Sequence, residues 1–483
     1  MNIKISRREA LKLGLLGSGA LLLPVALQQR GFADGPKPID PPPPFQVALR
    51  IPPVLTPTRT DATTDYYDIT QSVAKQQIIP GLPPTTVWGF NGITPGPTII
   101  ARRNREVVIR QTNTLPEAIS THLHGMTTQM VFDGYPEILV EPGSSYEYRY
   151  PNLNHAATLW YHDHAIHHTS THVYQGLSAF YIIHDEVEES LPLPKGDYDL
   201  ALNIQDKLFA PDGSFIYDNN GNKGVDGNII LVNGTPFPRF EVANRKYRFR
   251  ILNGSDKRSY KLALSTGQPF TVIGTDSGLM TKPQQVSEFR IGTAERYEVV
   301  IDFSQYKVGS QIVLQNLFAD KKEPLSQIMR FDVARQEADN SSIPDTLRND
   351  YEVLQESQAA RTREFRFERS NGLWQINGKI WDANRADTTP KLGDVEIWRL
   401  YNNAGGWFHP IHLHLLLEGF RILDRNGAPP FPYELGQKDV AYVGENESVR
   451  VIGRFVPFKG KFVFHCHNAS HEDHDMMSQF EVI

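Results

Sequence analysis

The chain has 483 residues, of which 22% are charged, and a formal net charge of −6. No long run of Lys or Arg interrupts it, so the electrostatic footprint that nucleic-acid binding needs is missing. Thirty-four prolines and 36 glycines punctuate short apolar runs, which points to an all-β chain rather than a helical one.

At the N-terminus, SRREALKLGLLGSGALLLPVAL couples Arg7 and Arg8 to an apolar stretch from Leu11 to Leu27. Gly14, Gly17, Gly19 and Pro24 interrupt that stretch and make it a poor membrane span. Gly31-Phe32-Ala33 offers small residues for cleavage before Asp34. Residues 1–33 resemble a twin-arginine signal, which implies export of the folded protein to the periplasm or beyond. Cys466 is the single cysteine and cannot form an intramolecular disulfide. A lone thiol in an exported protein is a liability unless something occupies it, and the expected occupant is a metal. Residues 34–58 are Pro-rich and read as an extended segment.

Three similar units are expected next, at 59–190, 191–345 and 346–483. Asn91-Gly92, Asn233-Gly234 and Asn377-Gly378 recur at intervals of about 140 residues. Each precedes an alternating strand that ends on an asparagine: Asn113, Asn253 and Asn402. Each unit closes on another strand, SAFYIIHD, then QIMRFDV, then SQFEVI. A two-residue alternation buries one face and wets the other, as in a β-sandwich.

The first unit carries His122-Leu-His124 and His162-Asp-His164; the third carries His409-Pro-Ile-His412-Leu-His414 and His465-Cys466-His467 with His471. None of the 16 histidines falls between Asp185 and Phe408, so the middle unit is expected to be a metal-free spacer. In a strand, residues i and i+2 share a face, so each His-x-His pair aims two imidazoles one way. Zinc takes four ligands and has no use for a thioether. Met476 follows His471 by five residues. Two imidazoles (His409, His471), one thiolate (Cys466) and a distant methionine describe a blue-copper site. Cys466 then faces one side of its strand, while His465 and His467 face a second copper group on the other.

These motifs, in this order, resemble those of the multicopper oxidases over essentially the whole mature chain. HCHN…HEDHDMM, GWFHPIHLH and WYHDHA are most similar to the bilirubin oxidase and spore-coat laccase branch. The resemblance implies three cupredoxin domains and four copper ions. By matching position, type 1 copper takes His409, Cys466, His471 and axial Met476, and type 2 copper takes His122 and His412. The type 3 pair takes His124, His162, His164, His414, His465 and His467. Asp133 and Glu472 match family carboxylates near the cluster and imply proton relay. Trp407 is expected at the substrate rim; Gly406 stands before it where the bilirubin oxidase pattern has Asn. His155, His167, His168, His172, His184 and His474 match no ligand position, and Met477 reads as core.

The implied activity is one-electron oxidation of phenols, aromatic amines or tetrapyrroles such as bilirubin, coupled to reduction of O2 to water. The alternative is a metallo-oxidase for Cu(I), Mn(II) or Fe(II). Copper-detoxifying relatives carry a methionine-rich insert, and the seven methionines here are scattered. The copper-free structural relatives lack the ligands that this chain keeps. The expected partners are O2 and a small organic reductant, with no nucleic acid, no stable membrane association after signal removal, and a monomeric state.

Overall fold

The computed structural model describes residues 36–483; the expected signal at 1–33 lies outside the described residues. The described residues form six sheets, two in each successive third of the chain. The same pairing recurs in all three. Thr64–Gln76 runs parallel to Glu106–Asn113, Asp199–Phe209 to Lys246–Asn253, and Ala359–Ser370 to Val395–Asn402. Each second strand then pairs antiparallel with a later one: Ser145–Tyr150, Arg296–Asp302 and Ser448–Arg454.

The asparagines explain why the units repeat. Asn91, Asn233 and Asn377 take positive φ of 53°, 50° and 54°, followed by glycines at 73°, 70° and 72°, the backbone of a type I′ turn. The side-chain oxygen of each accepts a backbone N–H from the adjoining strand, from Thr70, Asn203 and Arg366. The strand-ending asparagines act as buried clamps. Asn113 donates to the carbonyls of Glu117 and Val140, Asn253 to those of Arg258 and Ile291, and Asn402 to those of Trp407 and Gly444. Each satisfies loop carbonyls that burial would otherwise leave unpaired.

The Pro-rich segment differs from the extended linker expected of it. Ile39, Phe45 and Leu49 donate their backbone N–H groups to Phe209, Phe237 and Arg239 of the middle unit. Leu49 joins that unit's core together with Ile78, Ile79 and Val87 from the first unit. A linker without hydrogen bonds would stay solvated; this one is strapped down.

The His-bearing strands lie in the two four-stranded sheets. Thr121–His124 and Ala157–Asp163 are neighbours in one, and His409–Leu413 and Gly460–Cys466 in the other. Among the described residues no helix is long and apolar enough to cross a membrane.

Candidate metal centre

Two donor clusters meet at the strand that carries Cys466. His409–Leu413 pairs with Gly460–Cys466 so that His412 lies opposite His465 and Ile411 opposite Cys466. The chain then turns into a short helix, Ala469–Glu472, whose N-terminus Asn468 caps by accepting from the His471 N–H. This brings His409 Nδ1 to 3.3 Å from Cys466 Sγ, His471 Nδ1 to 3.7 Å from the same sulfur, and the two Nδ1 atoms to 3.3 Å from each other. Met476 is held beside them by the main chain, accepting from the Cys466 N–H at 3.1 Å and donating to the His471 carbonyl at 3.0 Å. All four side chains are fully buried. Burial holds His409 down to about 3 and His471 well below the ordinary imidazole range, so both rings keep a lone pair free. Burial pushes the Cys466 thiol up, so only a cation in the trio can hold the thiolate. The Asn468 N–H, 3.4 Å from Sγ, is already aimed at that charge.

On the other face of the same strand, eight buried histidines converge from both His-bearing sheets. His122 stands directly opposite His162 in the first. His122 Nε2 is 3.4 Å from His412 Nε2, and His465 Nε2 is 3.2 Å from both His164 Nε2 and His414 Nε2. His124, His162 and His467 form a further group with ring centroids 5.0–5.9 Å apart.

The donor set passes a direct test of fit to metal. His124 Nδ1, His162 Nε2 and His467 Nε2 have no hydrogen-bond partner although buried, a cost of about 1–3 kcal/mol each unless a cation takes the lone pair. Meanwhile the opposite nitrogens are anchored. His122, His162 and His412 use Nδ1 on the carbonyls of Asp133, Asp163 and Asp439 at 2.5, 2.8 and 2.9 Å. His414 Nδ1 meets Asp133 Oδ2 at 2.8 Å, and His465 Nδ1 meets the Cys466 carbonyl at 3.2 Å, with Glu472 Oε2 2.9 Å away. His124 reverses the pattern, with Nε2 on Asp439 Oδ1 at 3.1 Å, which turns its Nδ1 inward. One nitrogen fixed and one left bare is the arrangement of metal-bound histidine.

Both sequence-predicted carboxylates lie in this shell. Burial raises the Asp133 carboxyl above its usual range, against the opposing pull of His122. Burial would raise Glu472 too, but His465 and His164 beside it outweigh that and hold it low.

Three residues escaped sequence reasoning. Asp439, at the end of the sequence KD before an apolar strand, touches His124 and accepts both arms of Arg296 at 2.6 Å. Arg296 comes from the middle unit, which is therefore more than a spacer. Two adjacent charges, Lys438 and Asp439, against VAYV were the available signal. Trp374 packs its ring 3.7 Å from that of His471, and nothing in its LWQI strand marks it.

Trp407, expected at the substrate rim, stands beside the trio of His409, Cys466 and His471. It is half-buried and edges onto both His471, at 5.5 Å, and Trp374, at 5.2 Å. Lys257 and Arg369 lie 5.8 and 5.9 Å from its ring. The imidazoles of His409 and His471 are wholly buried, so an approaching molecule meets indole before imidazole. Met477 is core, packed with Tyr135 and Val463. Of the unassigned histidines, His155 is buried between Arg348 and Glu418, and His172 is buried against Asp163.

Models of the multicopper oxidase family match residues 72–188, 202–337 and 345–483. The chain is 39% identical to bilirubin oxidase of Albifimbria verrucaria over 469 residues, covering 91% of this chain and 81% of that one. It is 35% identical to the laccase of Bacillus subtilis (strain 168) over 508 residues, covering 91% and 98%. Among solved structures, a laccase from Pediococcus acidilactici Pa5930 superimposes with a TM-score of 0.85 at 30% identity, over 94% of this chain and 97% of that one. The McoA multicopper oxidase from Aquifex aeolicus gives 0.82 at 31%, over 90% and 99%.

Proposed function

The chain belongs to the multicopper oxidase family, and on that premise we propose that it oxidises phenols, aromatic amines and tetrapyrroles such as bilirubin. It is a copper oxidoreductase with O2 as acceptor, built as three cupredoxin-like sandwiches. Its four coppers, when bound, store the electrons that couple one-electron oxidations to reduction of O2 to water.

The observation that carries the reading is the His465-Cys466-His467 stretch, whose thiol faces one donor cluster while both imidazoles face the other. In this assignment His409, Cys466 and His471 would hold type 1 copper, with Met476 as a further, weaker donor. His122 and His412 would hold type 2 copper. His124, His162 and His467 would hold one type 3 ion, and His164, His414 and His465 the other. The protein contributes geometry and protons. The two carboxylates divide that work: Asp133, its carboxyl raised by burial, lies beside His122 and His414, where it can take up and pass on a proton. Glu472, held ionised, orients His164 and His465.

Half-buried Trp407 offers the aromatic donor a stacking surface next to His471. Lys257 and Arg369 over it favour donors that carry an acidic group. Export through the twin-arginine pattern, a monomeric state and freedom from the membrane complete the proposal and rest on the sequence.

Oxygen uptake by copper-loaded enzyme tests it, with bilirubin, substituted phenols and the ions Cu(I), Mn(II) and Fe(II) as donors. The organic donors are expected to be turned over and Cys466→Ser to lose both that activity and the blue absorption. Rapid oxidation of the metal ions with no response to phenols or bilirubin defeats the proposal.

A further inference from the structure

Outside the copper clusters the first unit carries another set of convergent donors. Asp163, between His162 and His164, is almost completely buried. Its oxygens are fixed by the backbone N–H groups of Ser120 and Ala165, each at 3.0 Å. Asp163 Oδ1 also holds His172 Nδ1 at 2.7 Å. The Asp163 contact turns His172 Nε2 outward, where Glu117 Oε2 lies 3.1 Å away. His168, one helical turn earlier, brings its Nδ1 to 3.4 Å from the same oxygen, and its ring stacks on that of His172 at 5.3 Å. Trp88 walls the other side of His172 at 5.0 Å, and Asn113 pins the Glu117 carbonyl at 2.8 Å.

From this geometry we infer that Glu117, His168 and His172 form a surface site for one first-row divalent metal ion, separate from the four coppers. Three features carry it. The ligating atoms lie within 4.8 Å of one another. Donor separations of 3.1 and 3.4 Å match the roughly 3.0–3.4 Å spacing of ligands around an ion with bonds of about 2.1 Å. A buried carboxylate behind His172 is the support that fixes the tautomer of a metal-bound imidazole. Two imidazoles and one carboxylate select zinc, copper(II) or nickel over calcium or magnesium, which take all-oxygen shells. Glu117 and His168 are about half exposed, with side-chain exposures of 47% and 54%, so water can complete the coordination.

Zinc is the probe, because it is colourless and redox-inert. Equilibrium dialysis of copper-loaded enzyme against zinc is expected to add one zinc per chain, with copper content and blue absorption unchanged. His168→Ala and Glu117→Gln, both at exposed side chains, should each weaken that binding by at least about tenfold while keeping the blue colour, which reports an intact fold. Two results overturn the site: no zinc taken up at millimolar concentration, or uptake by both variants as tight as by the wild type.

Discussion

Cys466 and Met476 are neighbours because two antiparallel strands meet there, with His465 paired to Met477. The methionine is locked by its own backbone bonds to Cys466 and His471, so its side chain can change without moving the trio. Met476→Leu removes the axial donor and should raise the type 1 potential; Met476→Gln supplies a stronger one and should lower it. Each shift is expected to be about 60 mV, a tenfold change in the one-electron equilibrium, with copper content near wild type. Redox titration giving one potential for all three proteins would sink the axial assignment. Gly406 allows a second test at this scale. Its φ is +67° and a Cβ there meets no atom within 4 Å, a conformation that asparagine tolerates. Gly406→Asn should fold normally and lower KM for bilirubin severalfold while leaving KM for small phenols unchanged; equal effects on both would remove this position from substrate choice. At residue scale the convergence of the histidines was legible because His-x-His spacing maps directly onto strand geometry. Trp374 was not, since stacking on His471 depends on a strand and a short helix far apart in sequence.

Between elements, the clearest surprise is the contribution of the middle unit. Arg296 opens the strand Arg296–Asp302 and reaches Asp439, which precedes Val440–Val443 in the third unit, and Asp439 in turn fixes His124 of the first. Asp276 adds to this knot by accepting the N–H groups of Asp439 and Val440, and Lys438 lies 2.9 Å from both Asp276 and Glu295. All of these groups are buried, so removing one charge strands another. Arg296→Met should therefore cost about 3–5 kcal/mol of unfolding free energy and reduce copper retention at the group formed by His124, His162 and His467. Arg296→Lys, which keeps the charge but not the two-armed geometry, should lose less of both. Thermal unfolding with copper analysis measures the pair; an Arg296→Met protein with wild-type stability and four coppers excludes the knot as a support. Alternation and Asn-Gly turns made the three sandwiches readable in advance, because each unit repeats its own local clamps. Side chains that bridge units have no local period, so neither the Arg296–Asp439 link nor the strapped Pro-rich segment could be read that way.

Across the whole molecule, the copper centres make the fold depend on imidazoles that must stay neutral. Burial is the first cause of a lowered value in His124, His162, His164, His409, His412, His414, His467 and His471, with His164 and His409 both near 3. Below the ordinary imidazole value of about 6.5, the unfolded chain takes a proton at each of these positions and the folded chain does not. Stability therefore falls as pH drops through 6.5 toward the lowered folded values. His172 has the opposite sign, since Asp163 and Glu117 overcome its burial and raise it; it is one group against eight. Carboxylates held low against their burial, Glu188 by His184 and Arg248 and Glu298 by Arg248 and Arg250, also lose stability in acid, but only below about pH 4.5. Between about pH 6.5 and 4.5 the loss belongs to the histidines. Urea unfolding of copper-free protein across that window should show a steep fall in midpoint, and copper-loaded protein a much shallower one, because bound metal holds the lone pairs that protons would otherwise take. If the copper-free midpoint were flat from pH 7 to about pH 5, the buried imidazoles would have to be protonated or solvated already, and the tightly closed metal centre described above would be wrong.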